Sequence, residues 1–222
     1  FGCTDTSALN YNLLATVDDS SCCYSSGQLW SQIGQDIDGL TQDDELGYSV
    51  SLNSLGNILA VGAPHDNTYP SNTYSNSQTN GAGAVRVYEK INGTWNQLGQ
   101  TIYAEAQSDH FGGALSLSSD GSILAIGAKF NNDSGIDAGH VRIFENISGT
   151  WIQIGQDIDG EAANDESGTS VSLSSDGSIV AIGAPTNDGN GFMSGHVRVF
   201  ENIFGVWIQI GQDINGEAID DF

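Results

Sequence analysis

Basic residues are scarce in this sequence: five Lys and Arg stand against 28 Asp and Glu among 222 residues, giving a formal net charge of −23 at pH 7. Nucleic-acid phosphates and anionic membrane surfaces both attract proteins through a basic surface. The charge therefore excludes nucleic acid as a partner and leaves cations and cationic or neutral molecules. It is also typical of an extracellular, salt-exposed surface that stays soluble through self-repulsion.

Long apolar runs and catalytic signatures are missing as well. No run approaches the ~20 apolar residues of a membrane span, so we expect no direct membrane insertion, and residues 1–222 contain no signal-peptide pattern. There is no G-x-S-x-G, H-E-x-x-H or G-x-x-x-x-G-K motif, and the four histidines lie in separate segments. These absences predict that the protein is not an enzyme.

Four tryptophans mark an internal repeat. Trp207 follows Trp151 by 56 residues, Trp151 follows Trp95 by 56, and Trp95 follows Trp30 by 65. A period of this size indicates a solenoid or a propeller. The chain begins at Phe1 without an initiator Met and stops inside a repeat, so we expect it to belong to a longer protein.

Each repeat contains four short apolar segments between turn signals, and no segment has helical spacing. A lone four-stranded sheet cannot bury its two faces, so the repeats must stack on one another. We therefore predict an all-β fold, a β-propeller of four-stranded antiparallel blades, in the repeat region 30–222. The three full blades are expected at residues 47–102, 112–158 and 168–214, and an extra outer strand at 30–37.

A glycine motif recurs at the first two strands of every repeat. It reads Phe111-Gly112 with Gly127-Ala128, Leu46-Gly47 with Gly62-Ala63-Pro64, and Ser167-Gly168 with Gly183-Ala184-Pro185. This motif resembles the FG-GAP repeat of integrin-alpha-like β-propellers. The resemblance implies a propeller used in binding or adhesion. The calcium loop that such propellers often carry between first and second strands is not carried over, because one carboxylate or none is found there.

All three cysteines, Cys3, Cys22 and Cys23, lie in an opening module at residues 1–24, which a short linker at 25–29 joins to the repeats. So short a segment cannot form a core, and a disulfide from Cys3 to Cys22 or to Cys23 would stabilise it and indicate an oxidising compartment. The module also resembles short Cys-bracketed, Asp/Asn-rich modules of large secreted surface proteins. Its candidate calcium ligands are Asp5, Asn10, Asn12, Asp18 and Asp19, and the alternative is that they form Asx turns.

Other candidate sites lie in the loops between second and third strands. In the first blade an insertion at 67–81 offers Tyr69, Asn72, Tyr74 and Asn76, which suit contact with a sugar or a peptide; the alternative is a tolerated surface excursion. In the later blades Asp133, Asp137 and Asp188 are candidate calcium ligands.

Residues that recur in register with the blades are interpreted as structural. Arg86, Arg142 and Arg198 share one position on the third strand, where pairing with a neighbouring carboxylate is expected. His140 and His196 also recur, and the first blade has Ala84 at that position. A D-x-x-G motif precedes each first strand, and its aspartate is expected to cap the turn.

Three functions remain open. The first is a non-catalytic extracellular binding or adhesion module of a larger secreted or surface protein, with a protein or glycan ligand. The second is a structural repeat of a surface filament or virion appendage, whose partners are further copies of itself. The third is a propeller enzyme acting on polysaccharide, which would need carboxylates from several blades to meet.

Overall fold

A computed structural model describes residues 1–6, 8, 11–17, 20–22, 31–68 and 81–218. The chain divides into two compact units, Phe1–Gln35 and Asp36–Phe222. Among the described residues every regular element is a β-strand, and none forms a helix long and apolar enough to cross a membrane.

The first unit contains a disulfide between Cys3 and Cys22. Cys3 is buried, forms an isolated bridge with Tyr11, and accepts a hydrogen bond from the Asn12 amide at 2.9 Å. Of the two predicted partners of Cys3, the structure therefore has Cys22, while Cys23 lies outside the described residues.

The described residues of the second unit form three sheets, each of four strands in antiparallel succession plus a two-residue strand. The first sheet contains β1 (Ser49–Leu52), β2 (Ile58–Ala63), β3 (Ala84–Ile91), β4 (Thr94–Gln97) and β5 (Ile102–Tyr103). The second contains β6 (Ala114–Leu117), β7 (Ile123–Ala128), β8 (His140–Ile147), β9 (Thr150–Gln153) and β10 (Ile158–Asp159). The third contains β11 (Ser170–Leu173), β12 (Ile179–Ala184), β13 (His196–Ile203), β14 (Val206–Gln209) and β15 (Ile214–Asn215). These sheets confirm the predicted propeller blades.

The long third strand of each blade pairs with the second strand on one side and with the fourth and the two-residue strand on the other. In the second blade, β8 pairs with β7 through residues 140–145, while β9 pairs with its last four residues and β10 with its first two. The second strand is buried on both faces, as its continuous apolar sequence predicts, and all six residues of Ile123–Ala128 are buried. The first strands are neighbours across blades, because β6 contacts both β1 and β11.

The extra outer strand expected at residues 30–37 is not found: residues 31–37 contain no β-strand, and Trp30 lies outside the described residues. The physical reason is visible in the complete blades, where each four-residue outer strand is paired with the second half of an eight-residue third strand. No such third strand precedes residue 31 in the described part of the chain.

The hydrophobic core lies between blades. One cluster joins Val85 and Val87 of the first blade to Phe111, Leu124 and Ile126 of the second. Another joins residues of the second blade, such as Ile143, to Val180 and Ile182 of the third. Each blade thus buries its faces against its neighbours, as the stacking argument requires.

The recurring glycines hold the blades at close range. A Cβ built on Gly62 would lie 2.1 Å from the carbonyl oxygen of Gly112, and one on Gly127 would lie 2.0 Å from that of Gly168. Only a residue without a side chain permits this approach. The glycine of the second strand in one blade therefore packs on the glycine that precedes the first strand of the next.

Candidate functional site

The turn before each first strand has a repeated geometry. In the second blade the Asp109 carboxylate accepts hydrogen bonds from the Ala106 amide at 3.0 Å and from the Asn131 side chain at 3.4 Å. In the third blade Asp165 accepts the equivalent bonds from Ala162 and Asn187. These aspartates cap the turn, and the residue that follows each of them takes a left-handed conformation.

His110 is that left-handed residue in the second blade, with φ of 60°. The turn directs its side chain toward the end of the first blade's second strand. There the Nε2 atoms of His110 and His65 lie 2.9 Å apart. The two imidazoles come from adjacent blades and can share one hydrogen bond when both are neutral.

Aromatic and charged side chains surround this pair. The rings of Tyr48 and Phe130 lie 5.5 Å and 5.4 Å from that of His110, measured between centroids. The Lys129 ammonium lies 4.4 Å from the Phe130 ring and 3.7 Å from a Glu166 carboxylate oxygen. We call the six residues Tyr48, His65, His110, Lys129, Phe130 and Glu166 the histidine cluster.

A small open cavity of about 50 Å³ adjoins the cluster, with room for one small polar group. Its lining comes from all three blades and consists of Tyr48, His110, Gly113, Lys129, Gly168 and Thr169. Tyr48 is 56% exposed, so its ring is accessible from solvent at the cavity.

Burial, together with the neighbouring His65 and Lys129 side chains, lowers the pKa of His110 to about 4. The His110 imidazole is therefore neutral at physiological pH. Its Nδ1 atom is buried and has no hydrogen-bond partner among the described residues. A neutral imidazole beside an ammonium and an open cavity can bind a polar group or accept a proton from it.

Sequence reasoning missed this cluster, although a signal was present. The residue types at its positions differ among the three blades, whereas the residues around these positions repeat. The equivalent positions hold Tyr48, Gly113 and Thr169; Glu45, His110 and Glu166; Pro64, Lys129 and Pro185; and His65, Phe130 and Thr186. The divergence at this end of the blades would have indicated these residues.

The predicted calcium ligands are dispersed. Asp133 lies near Glu105, His140 and Asp157, whereas the other loop candidates lie outside that group. Asp188 accepts a hydrogen bond from the Met193 amide at 2.7 Å. The backbone carbonyl of Asp137 accepts a hydrogen bond from the Glu166 amide, and the Asp137 amide donates one to the side-chain oxygen of Asn132.

In the first unit, the Asn12 side-chain oxygen accepts a hydrogen bond from the Leu14 amide at 3.0 Å, which is an Asx-turn contact. Asp5 lies in the same segment, and its backbone carbonyl accepts a hydrogen bond from the Ala8 amide at 3.1 Å. The remaining predicted site residues lie outside the described residues: Asn10, Asp18, Asp19, Cys23, Tyr69, Asn72, Tyr74 and Asn76.

The recurring arginines all meet acidic side chains. Arg86 pairs with Asp66 of its own blade, and both are buried. Arg142 lies 3.3 Å from Glu105, and Arg198 lies 3.6 Å from Glu161, in each case across a blade boundary.

An FG-GAP repeat matches residues 157–200. This match confirms the resemblance that the glycine motif predicted, and the three sheets repeat the same unit. The likeness of the opening module to secreted-protein modules stays a prediction. No curated protein is significantly similar to the chain in sequence.

Several solved structures are similar to this chain. A proposed 6-phosphogluconolactonase of Bacteroides uniformis matches with a TM-score of 0.53 at 16% identity, over 81% of this chain and 43% of that one. Hydrazine synthase of Kuenenia stuttgartiensis matches with a TM-score of 0.46 at 11% identity, over 82% of this chain and 41% of that one. The periplasmic gluconolactonase of Pseudomonas aeruginosa matches with a TM-score of 0.42 at 16% identity, over 78% of this chain and 58% of that one. The chain spans less than half the length of the first of these proteins.

The prediction that the protein is not an enzyme is wrong as an inference from missing motifs. A protein with a similar fold is described as a proposed 6-phosphogluconolactonase, so this fold does not exclude catalysis. The physical reason lies in how blades build a site. His65, His110 and Lys129 are distant in sequence and meet only when blades stack, so they leave no local motif.

Proposed function

We propose that this chain is a ligand-binding propeller domain of a larger extracellular surface protein, and that its ligand is a glycan held at the histidine cluster. The observation that carries the proposal is the divergence of the cluster within an otherwise repeated framework. A purely structural position has the same task in each blade, whereas a binding site is asymmetric.

The chemistry of the cluster suits a sugar. The exposed Tyr48 ring offers an apolar face on which a pyranose can stack. His110 and Lys129 line the cavity beside it and offer hydrogen-bonding groups for hydroxyls. The neutrality of His110 matters here because a neutral imidazole can both donate and accept.

The proposed location rests on two further features. The disulfide between Cys3 and Cys22 suits an oxidising compartment. The net charge of −23 suits a salt-exposed surface on which neutral ligands are bound without competition from polyanions.

A panel of immobilised neutral and acidic oligosaccharides tests the proposal. We expect binding to at least one class of sugar, and a loss of affinity of tenfold or more in Tyr48→Ala and in Lys129→Pro. Proline is the residue that the other two blades have at the position of Lys129. Leu55→Ala is the matched control, because Leu55 is exposed in the turn between β1 and β2. Binding that survives both cluster variants, or no binding to any sugar, would overturn the proposal. Self-association in solution without sugar binding would favour the filament alternative.

A second function is hydrolysis of a sugar lactone at the same cavity. The observation that favours it is the neutral His110, whose Nδ1 is unpartnered among the described residues and which lies beside Lys129. His110 would take a proton from water while the resulting hydroxide attacks the lactone carbonyl, and Lys129 would stabilise the oxyanion. When the ring C–O bond breaks, protonated His110 would return that proton to the leaving ring oxygen. The Bacteroides protein is named for a substrate of this chemical class. Opening of glucono-δ-lactone above the uncatalysed rate, abolished by His110→Asn, would support this function; an unchanged rate in that variant would exclude it.

A further inference from the structure

A second group of side chains lies at the boundary between the first two blades. Glu105 follows β5 of the first blade. Asp133 comes from the loop between β7 and β8, His140 begins β8, and Asp157 follows β9, all in the second blade. One ligand atom from each of the four lies within 4.8 Å of every other.

His140 supplies an independent sign of a missing partner. Its side chain is completely buried, yet neither ring nitrogen has a hydrogen-bond partner among the described residues. Nδ1 faces Asp157 at 3.9 Å, which is too long for a hydrogen bond. Buried polar groups are nearly always satisfied, so an imidazole aimed at three carboxylates without a partner points to a bound species.

We propose that Glu105, Asp133, His140 and Asp157 bind a single divalent transition-metal ion of the Zn²⁺ class. Four donors suffice for the tetrahedral coordination of zinc, whose ligand atoms lie about 3.3 Å apart. Glu105 and Asp133 are exposed, so rotation of their side chains can bring the ligand atoms from the present spacing toward this value.

The donor set discriminates between metals. Calcium takes six to eight oxygen ligands, whereas an imidazole nitrogen suits zinc, nickel or copper. Charge is also suitable: three carboxylates and the nearby Arg142 guanidinium leave a net charge of about −2, which a divalent ion neutralises. The site therefore differs in chemistry from the calcium site for which Asp133 was predicted.

The equivalent positions of the other blades hold fewer of these ligands and can be compared with this site. At the next boundary Glu161, His196 and Asp213 form a three-residue version, with Gly189 at the position equivalent to Asp133. In the first blade the positions of His140 and Asp157 hold Ala84 and Thr101. We expect affinity to follow this order, with the four-ligand site binding most tightly.

Because Glu105 belongs to one blade and the other ligands to the next, the ion would join the two blades. Binding should therefore also stabilise the folded chain.

Calorimetric titration of tag-free, chelator-treated protein with ZnCl₂ tests the proposal. We expect one tight site, weakened at least 100-fold by His140→Ala, which restores the residue of the first blade, and by Asp157→Asn, which is nearly isosteric. Zinc should raise the thermal unfolding midpoint of the parent and leave that of both variants unchanged.

Two controls separate this site from the other histidines. His65→Ala removes an imidazole of the histidine cluster and should leave the tight site intact, while His196→Ala should remove only a weaker phase. Tight zinc binding that persists in both His140→Ala and Asp157→Asn would overturn the proposal. Absence of tight binding in the parent, or calcium binding more tightly than zinc, would overturn it too.

Discussion

The indole nitrogen of Trp151 donates a hydrogen bond to the carbonyl oxygen of Leu98 at 3.0 Å, joining the outer strand of the second blade to the first. Gln100 strengthens the junction, because its side-chain amide bonds both the carbonyl and the amide of Trp151. Trp207 makes the equivalent contact with Ile154 at the next boundary. The tryptophan repeat is therefore a repeated link between blades.

Replacing Trp151 with alanine should destabilise the protein by about 3–5 kcal/mol, because a 3% exposed indole and its hydrogen bond are both lost. Trp95→Ala is the matched control: the same residue type at the same repeat position is only partly buried. Urea unfolding followed by circular dichroism measures both. Equal losses in the two variants would show that the contact between blades contributes little.

Gly127→Ala should prevent the second and third blades from packing, since the new Cβ would lie 2.0 Å from the Gly168 carbonyl oxygen. That atom is backbone and cannot move aside cheaply. At the equivalent Gly183, the nearest atom to a Cβ among the described residues would be the Ser170 hydroxyl oxygen, which can rotate away. We therefore expect a loss of more than about 3 kcal/mol for Gly127→Ala and a small one for Gly183→Ala, by the same urea assay. A well-folded Gly127→Ala variant of parental stability would refute this account of the glycine motif.

The features predicted from sequence are those that the blades repeat. Trp151 and Gly127 recur in register, and their periodicity is enough to indicate four strands and a stacked arrangement. The position of His110 beside His65 depends on how one blade meets the next, and no local pattern encodes it. His140 was interpreted as structural because Ala84 replaces it in the first blade; only the assembled boundary shows which carboxylates approach it.

The buried pair of Arg86 and Asp66 is peculiar to the first blade, since the later blades have Asn131 and Asn187 in place of Asp66. Arg86→Met should cost about 3–5 kcal/mol because it leaves a buried carboxylate without its counter-charge. The double variant Arg86→Met with Asp66→Asn removes both charges and restores the residue of the other blades. We expect it to recover most of the loss in denaturant unfolding. If the double variant recovered none of the lost stability, the arginine would act through packing alone.

The pH dependence of stability should reveal His110. Its pKa is about 4 in the folded protein and about 6.5 when unfolded, so above pH 6.5 both states are neutral and the residue adds no pH dependence. As the pH falls from 6.5 toward 4, the unfolded state binds the proton more readily and stability declines. The groups that face His110 are His65, Lys129 and Tyr48, and the first two oppose its protonation.

His110→Asn removes this proton linkage and suits the left-handed backbone that the position requires. The free energy of unfolding of the parent minus that of the variant should be constant above pH 7. It should then fall by about 1 kcal/mol at pH 5, a value reduced because solvent screens a half-buried group. Chemical denaturation at pH 5, 6, 7 and 8 in constant salt gives the difference directly, and acid effects common to both proteins cancel. A difference that is the same at pH 5 and pH 8 would mean that His110 is protonated as easily in the fold as in the unfolded chain, and that its surroundings do not lower its pKa.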